Sequence, residues 1–161
     1  MMGVLFSEDR IDFRGKLTTG EIKQIVRNGG ADTLQTDTLP LDISTLQRLN
    51  EEYFAKYPHT ELRIYTYGSC DLSLLKVMDK VRKLSVEASS GILGVDAIYQ
   101  LPALRHLCVE TPKIEDKDFL VKIPASLESL DLDIAAKSFD LKPLTRFTEL
   151  KVLGLHKCKK I

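Results

Sequence analysis

The sequence returns to one short apolar pattern at a fixed interval of 23 residues, and this recurrence constrains the fold more than any other feature. The segments VRKLSVE, LRHLCVE, LESLDLD and LKVLGLH begin at Val81, Leu104, Leu127 and Leu150. Three positions on stand Leu84, Leu107, Leu130 and Leu153, and two beyond those stand Val86, Val109, Leu132 and Leu155. Residues spaced by two share one face of a strand, because strand side chains alternate. A parallel neighbour needs a return segment that also covers the apolar face of the sheet. The spacing therefore predicts a row of short parallel strands with the repeated leucines fully buried in one core.

The pattern extends toward the N-terminus less regularly. ELRIYTY supplies Leu62 and Ile64, TLPLDI supplies Leu39 and Leu41, and RIDFRG supplies Ile11 and Phe13, giving seven candidate units. Between them, TTGEIKQIVRNGG reads as a helix with a Thr18–Glu21 capping box, an apolar stripe of Ile22, Ile25 and Val26, and Gly29 as its stop. DISTLQRLNEEYFAKYP reads as a second helix, opened by Ser44 and Gln47 and ended by Pro58. Later returns (DLSLLKVM, GVDAIYQL, DKDFLVKI, LKPLTRF) read as one or two helical turns each. Val4 to Phe6 is expected to fold back on Ile11 to Phe13 as a cap over about residues 1–14. At the other end the last strand is followed by no covering helix. Three expectations attach to that end: a chain that continues, an edge guarded by Lys157, Lys159 and Lys160, or pairing with a second copy.

The unit LPALRHLCVETPKI resembles a leucine-rich repeat of the L-x-x-L-x-x-L-x-L type. The resemblance implies an α/β solenoid forming a single domain over residues 1–161, with repeats from about residue 10. Its short curved parallel sheet would line the concave side, with helices or helical turns on the convex side. The family's usual Asn after the strand is replaced by Lys16, Ser44, Tyr67, Ser89, Pro112, Ala135 and Cys158, which implies looser loops on that edge.

Twenty-three basic residues balance 23 acidic ones, so no net charge steers the chain toward nucleic acid or a membrane surface. No apolar run approaches the roughly 20 residues of a membrane span, and MMGVLFSEDR lacks the basic start and apolar core of a secretory signal. Cys70, Cys108 and Cys158 are odd in number and widely spaced, which reads as free thiols in a cytoplasm. No nucleotide, hydrolase or metalloprotease motif occurs. His59, His106 and His156 fall in different units; His106, Cys108 and Asp131 share a face, but the neighbouring units complete no zinc set. The expectation is a non-enzymatic chain with no cofactor and no metal.

With Leu107 and Val109 inward, His106, Cys108 and Glu110 point outward, and Cys108 should react with thiol reagents. Carrying this register through all units gives an outward column of Arg14, Asp42, Tyr65, Glu87, Glu110, Asp133 and His156. Glu87, Glu110 and Asp133 would stand on adjacent strands about 4.8 Å apart, with Asp131 beside them. Like charges on neighbouring strands cost a few tenths to about 1 kcal/mol per pair, which a cationic partner would relieve. The expected partner-binding residues are therefore Tyr65, Glu87, Glu110, Asp131 and Asp133, facing a protein partner with a basic surface. The resemblance places that partner on the concave sheet, as in a bacterial immunity or inhibitor protein covering a basic toxin. The alternative is the substrate-recognition arm of a larger enzyme, such as a repeat-containing ubiquitin ligase.

Overall fold

The computed structural model describes residues 3–37, 40–134 and 140–157. Strands β1 (Val4–Phe6) and β2 (Arg10–Phe13) form the expected antiparallel hairpin, with Val4 opposite Phe13 and Phe6 opposite Ile11. Helix α1 (Thr19–Asn28) follows. Thr18 caps it, accepting from the Glu21 amide, while the Glu21 carboxylate accepts from the Thr18 amide at 2.8 Å. Gly29, at φ 93°, ends it in a conformation other residues rarely adopt. Ile22 and Ile25 are buried in the core.

Strand β3 is Thr33–Thr36, which corrects the expected strand in TLPLDI. Ile11 pairs with Leu34, and Leu34 with Leu62 on β4 (Glu61–Thr66), so the longer step falls after this strand rather than before it. Pro40 sits in a bend, and a residue without an amide hydrogen cannot complete a ladder. Thr38 and Leu39 lie outside the described residues. Asp42, expected on the outer sheet face, instead caps helix α2 (Ile43–Arg48), its carboxylate accepting from the Thr45 amide at 2.8 Å and the Ser44 hydroxyl at 2.6 Å. The cap is therefore Asp42 and not Ser44.

Helix α2 widens into a π-helical turn over Leu49–Phe54, closed by the Ala55 amide donating to the Asn50 carbonyl. The turn buries Leu49, Asn50, Tyr53 and Phe54 together. Asn50 is satisfied there by three bonds. Its side-chain amide donates to Asp79 at 2.7 Å and Glu51 at 3.0 Å, and its carbonyl accepts from the Lys80 amide at 2.9 Å.

Beyond β4 the chain adds β5 (Ser69–Asp71), β6 (Lys83–Ala88), β7 (Gly91–Leu93), helix α3 (Asp96–Tyr99), β8 (His106–Thr111), helix α4 (Phe119–Lys122), β9 (Ser129–Ile134) and β10 (Val152–His156). Short 3-10 turns at Ser73–Val77 and Lys142–Arg146 complete the returns. The main sheet has eight strands in the order β1-β2-β3-β4-β6-β8-β9-β10; β5 and β7 pair in a separate two-stranded sheet. Leu84, Leu107, Leu130 and Leu153 stand in register across β6, β8, β9 and β10.

The regular leucine-rich-repeat solenoid implied by the resemblance is not formed. The chain is an α/β domain with one large mixed sheet, antiparallel at β1–β2 and parallel elsewhere, and four scattered α-helices among the described residues. A solenoid needs each unit to repeat one rotation against its neighbour. Here the returns differ in kind: a ten-residue helix, a helix running into a π turn, four-residue helices and 3-10 turns. They converge on one core spanning Val4 to Phe147 instead of forming a uniform convex layer.

Leu84, Leu107 and Leu130 are at most 2% exposed, but Leu153 is 45% exposed, against the expectation that all four are buried. Strand β10 has β9 on one side and no strand beyond it among the described residues, and the 3-10 turn Lys142–Arg146 buries none of its own residues. No helix among the described residues is long and apolar enough to cross a membrane.

Candidate functional site

The outward column read from the repeat is a true register row from β4 onward. Tyr65 stands opposite Glu87, Glu87 opposite Glu110, Glu110 opposite Asp133, and Asp133 opposite His156. Toward the N-terminus the row fails at Asp42, which belongs to a helix cap.

These residues sit at the carboxyl ends of the parallel strands, where the chain leaves the sheet. One position on, Ala88 and Thr111 turn into the core. One further, Tyr67, Ser89 and Pro112 rise beyond the strand ends, and the side chain of Lys157 arrives from the end of β10. Together with Tyr65, Thr66, Glu87, Glu110 and Asp133 they enclose a cleft of about 330 Å³. Crevices beyond the carboxyl ends of parallel strands are where open α/β sheets commonly bind ligands, and the volume suits a small ligand.

One wall is aromatic. The Tyr65 and Tyr67 rings meet edge to face, centroids 5.1 Å apart at 79°. The hydrogen bond to Tyr67, with burial, pushes the Tyr65 phenol above its ordinary range. From the neighbouring strand onward the lining is acidic. Arg63 donates to Glu87 at 2.7 Å, and its guanidinium also lies 5.8 Å from the Tyr65 ring centre. Lys157 donates to Asp133 at 2.8 Å. Glu110, between them, is exposed and makes no hydrogen bond or ion pair among the described residues.

Asp131 lies outside the cleft, 3.3 Å from His156. Gly154 makes room for it: a Cβ there would meet the Asp131 carboxylate at 2.8 Å. Four of the five residues expected to bind a partner thus line one cleft, and Asp131 does not. The sequence reading missed Tyr67 and Lys157, taken as a turn position and an edge guard. A Tyr-x-Tyr pair at a strand end was the available signal for the first.

The open sheet face expected to dock a protein is largely self-compensated. Besides the pairs above, Glu128 meets Lys151 at 2.7 Å, and Asp12 meets Arg10 at 3.1 Å and Gln35 at 3.0 Å. The mixed α/β domain thus does not present the open concave-sheet binding module expected, nor the immunity-protein and ligase-arm roles that depended on it.

His106 and Cys108 share the outer face as expected, but Cys108 is half-buried, and burial pushes its thiol above the ordinary range. Cys70 is fully buried, its thiol pushed up to about 12 mainly by desolvation; Cys158 lies outside the described residues. Among the described residues no group of three His, Cys, Asp or Glu side chains is placed to hold a metal ion. Alkylation of native protein at neutral pH is expected to leave Cys70 intact and to modify Cys108 more slowly than a free thiol. Immediate, complete modification of Cys108 would contradict its half-burial.

No family model matches this sequence, and no curated protein matches it. The functional reading rests on the geometry of the cleft.

Proposed function

We propose that the chain is a non-catalytic binding protein whose cleft beyond β4, β6, β8 and β9 takes an organic cation. The observation that carries this is the in-register row Glu87, Glu110, Asp133 continuing from the Tyr65–Tyr67 pair along the lining of one cleft. With Arg63 on Glu87 and Lys157 on Asp133, the Glu110 carboxylate remains uncompensated and leaves the lining negative. Aromatic faces attract cations as well, through the ring quadrupole.

Support for a non-catalytic role comes from the arrangement of the reactive groups. The acids stand in a row along one wall rather than facing each other as an acid and a base. The Ser89 hydroxyl donates to the Tyr67 carbonyl. The free thiols Cys70 and Cys108 support placement in a reducing compartment such as a cytoplasm.

Titration of the protein with small organic cations, followed by NMR at Tyr65 and Tyr67, tests the reading. Glu110→Gln is expected to weaken binding roughly three- to tenfold and to reduce its salt dependence, since an exposed charge acts in screened solvent. Preference of the cleft for anions, or cation binding that ignores Glu110→Gln, would overturn the proposal.

A further inference from the structure

Lys157 has no part in the fold that its position demands. It follows the last residue of β10 with φ 56°, a backbone conformation uncommon for a residue with a side chain. Its side chain returns over the strand ends, and Nζ stops 2.8 Å from Asp133 Oδ2. The Lys157 side chain remains 63% exposed while that of Asp133 is only 21% exposed, so the pair is open to water on the lysine side. Asp133 first, and Glu110 more weakly, hold this ammonium above its ordinary pKa, which sets Glu110 near it as well.

Resting on the cation-binding reading above, we infer that the Lys157 ammonium occupies the head-group position of the cleft and that the ligand is a primary alkylammonium which displaces it. The carboxylates favour this head group over a guanidinium. Glu110 and Asp133 come from neighbouring strands about 4.8 Å apart. An ammonium directs three hydrogens in divergent directions and bridges two such acceptors, whereas a guanidinium is best met by both oxygens of one carboxylate. The exposed Pro112 ring and the two tyrosine rings in the same lining offer apolar surface to a methylene stem. An ion pair as exposed as Lys157–Asp133 is weak, so an amine that also packs its stem on that surface displaces it.

The chemistry has two sources, a lysine side chain on a peptide or a free linear diamine. Wild-type protein and Lys157→Ala are titrated with Nα-acetyl-lysine methylamide, 1,5-diaminopentane and n-butylguanidine, with NMR at Tyr65 and Tyr67 as the readout. Lys157→Ala is expected to bind both amines roughly three- to tenfold more tightly than wild type. Butylguanidine is expected to bind more weakly than either amine. The tighter of the two amines identifies the source, and either order supports the inference. Equal amine affinities in the two proteins would overturn displacement by the ligand, and tighter binding of butylguanidine would overturn the head-group assignment. Both results leave the cation-binding reading standing. If no cation shifts either tyrosine in either protein, that reading itself fails.

Discussion

Replacing Leu107 by Ala is expected to lower the free energy of unfolding by about 2–5 kcal/mol, the range for a truncated core leucine. Leu107 is 2% exposed, on β8, with Leu84 and Leu130 in register on the strands to either side. The same truncation at Leu153 is expected to cost about 1 kcal/mol or less, because nearly half of that side chain is already in water. Urea unfolding of both variants checks the pair, with the slope unchanged if the unfolded states are alike. Equal losses at the two positions would show that something covers the β10 edge in solution.

That contrast also marks what periodicity can and cannot convey. A fixed interval of 23 residues reports that strands are parallel and in register, and from β6 to β10 they are. The interval is blind to position in the stack, so it assigned Leu153 the burial of Leu107. It is equally blind to how each return is built. The returns of this chain bury different numbers of residues in different local helices, and that irregularity separates this mixed α/β sheet from a repeating solenoid. Where the interval stretches, it misleads outright. Leu39 and Leu41 looked like strand positions, but Leu34 is the residue that pairs with Ile11 and Leu62. A proline in the proposed strand and an Asp placed to cap the following helix were the local signals against it.

The cleft was legible to the extent that it is made of strand residues. Tyr65, Glu87, Glu110 and Asp133 follow from alternation and register alone. Tyr67 and Lys157 belong to segments that leave the sheet, where no period fixes the direction of a side chain. The ion pairs that compensate the face were hidden for a related reason. Arg63 and Glu87 are not directly opposed but meet on a diagonal of adjacent strands, within reach of long side chains.

The second large effect is expected at Asn50→Asp, which should cost about 3–5 kcal/mol at neutral pH, the range for an unpaired charge in a buried polar network. The site is 1% exposed. The substitution keeps the acceptor for the Lys80 amide but removes both donors, and it sets a carboxylate against the Asp79 and Glu51 oxygens that now receive them at 2.7 and 3.0 Å. Burial and two like charges raise the pKa of the introduced carboxyl above its unfolded value. The folded variant therefore binds a proton more readily than the unfolded chain, so acid favours the fold through this group. Asp79 acts in the opposite sense in the unsubstituted protein. Its bond from Asn50, and then that from Lys80, hold its pKa below the ordinary range, so the stability it contributes is present above the unfolded pKa and is lost as pH falls through the folded one. The stability difference between the two proteins should consequently shrink as the pH falls from 7 through the raised pKa of the introduced carboxyl, and again below the ordinary carboxylate range, where Asp79 of the unsubstituted protein takes up its proton. Asn50→Leu, which introduces no charge, should show a much flatter difference. Parallel pH profiles for wild type and Asn50→Asp would mean that water reaches this position, and that the π turn does not seal Asn50 into the core.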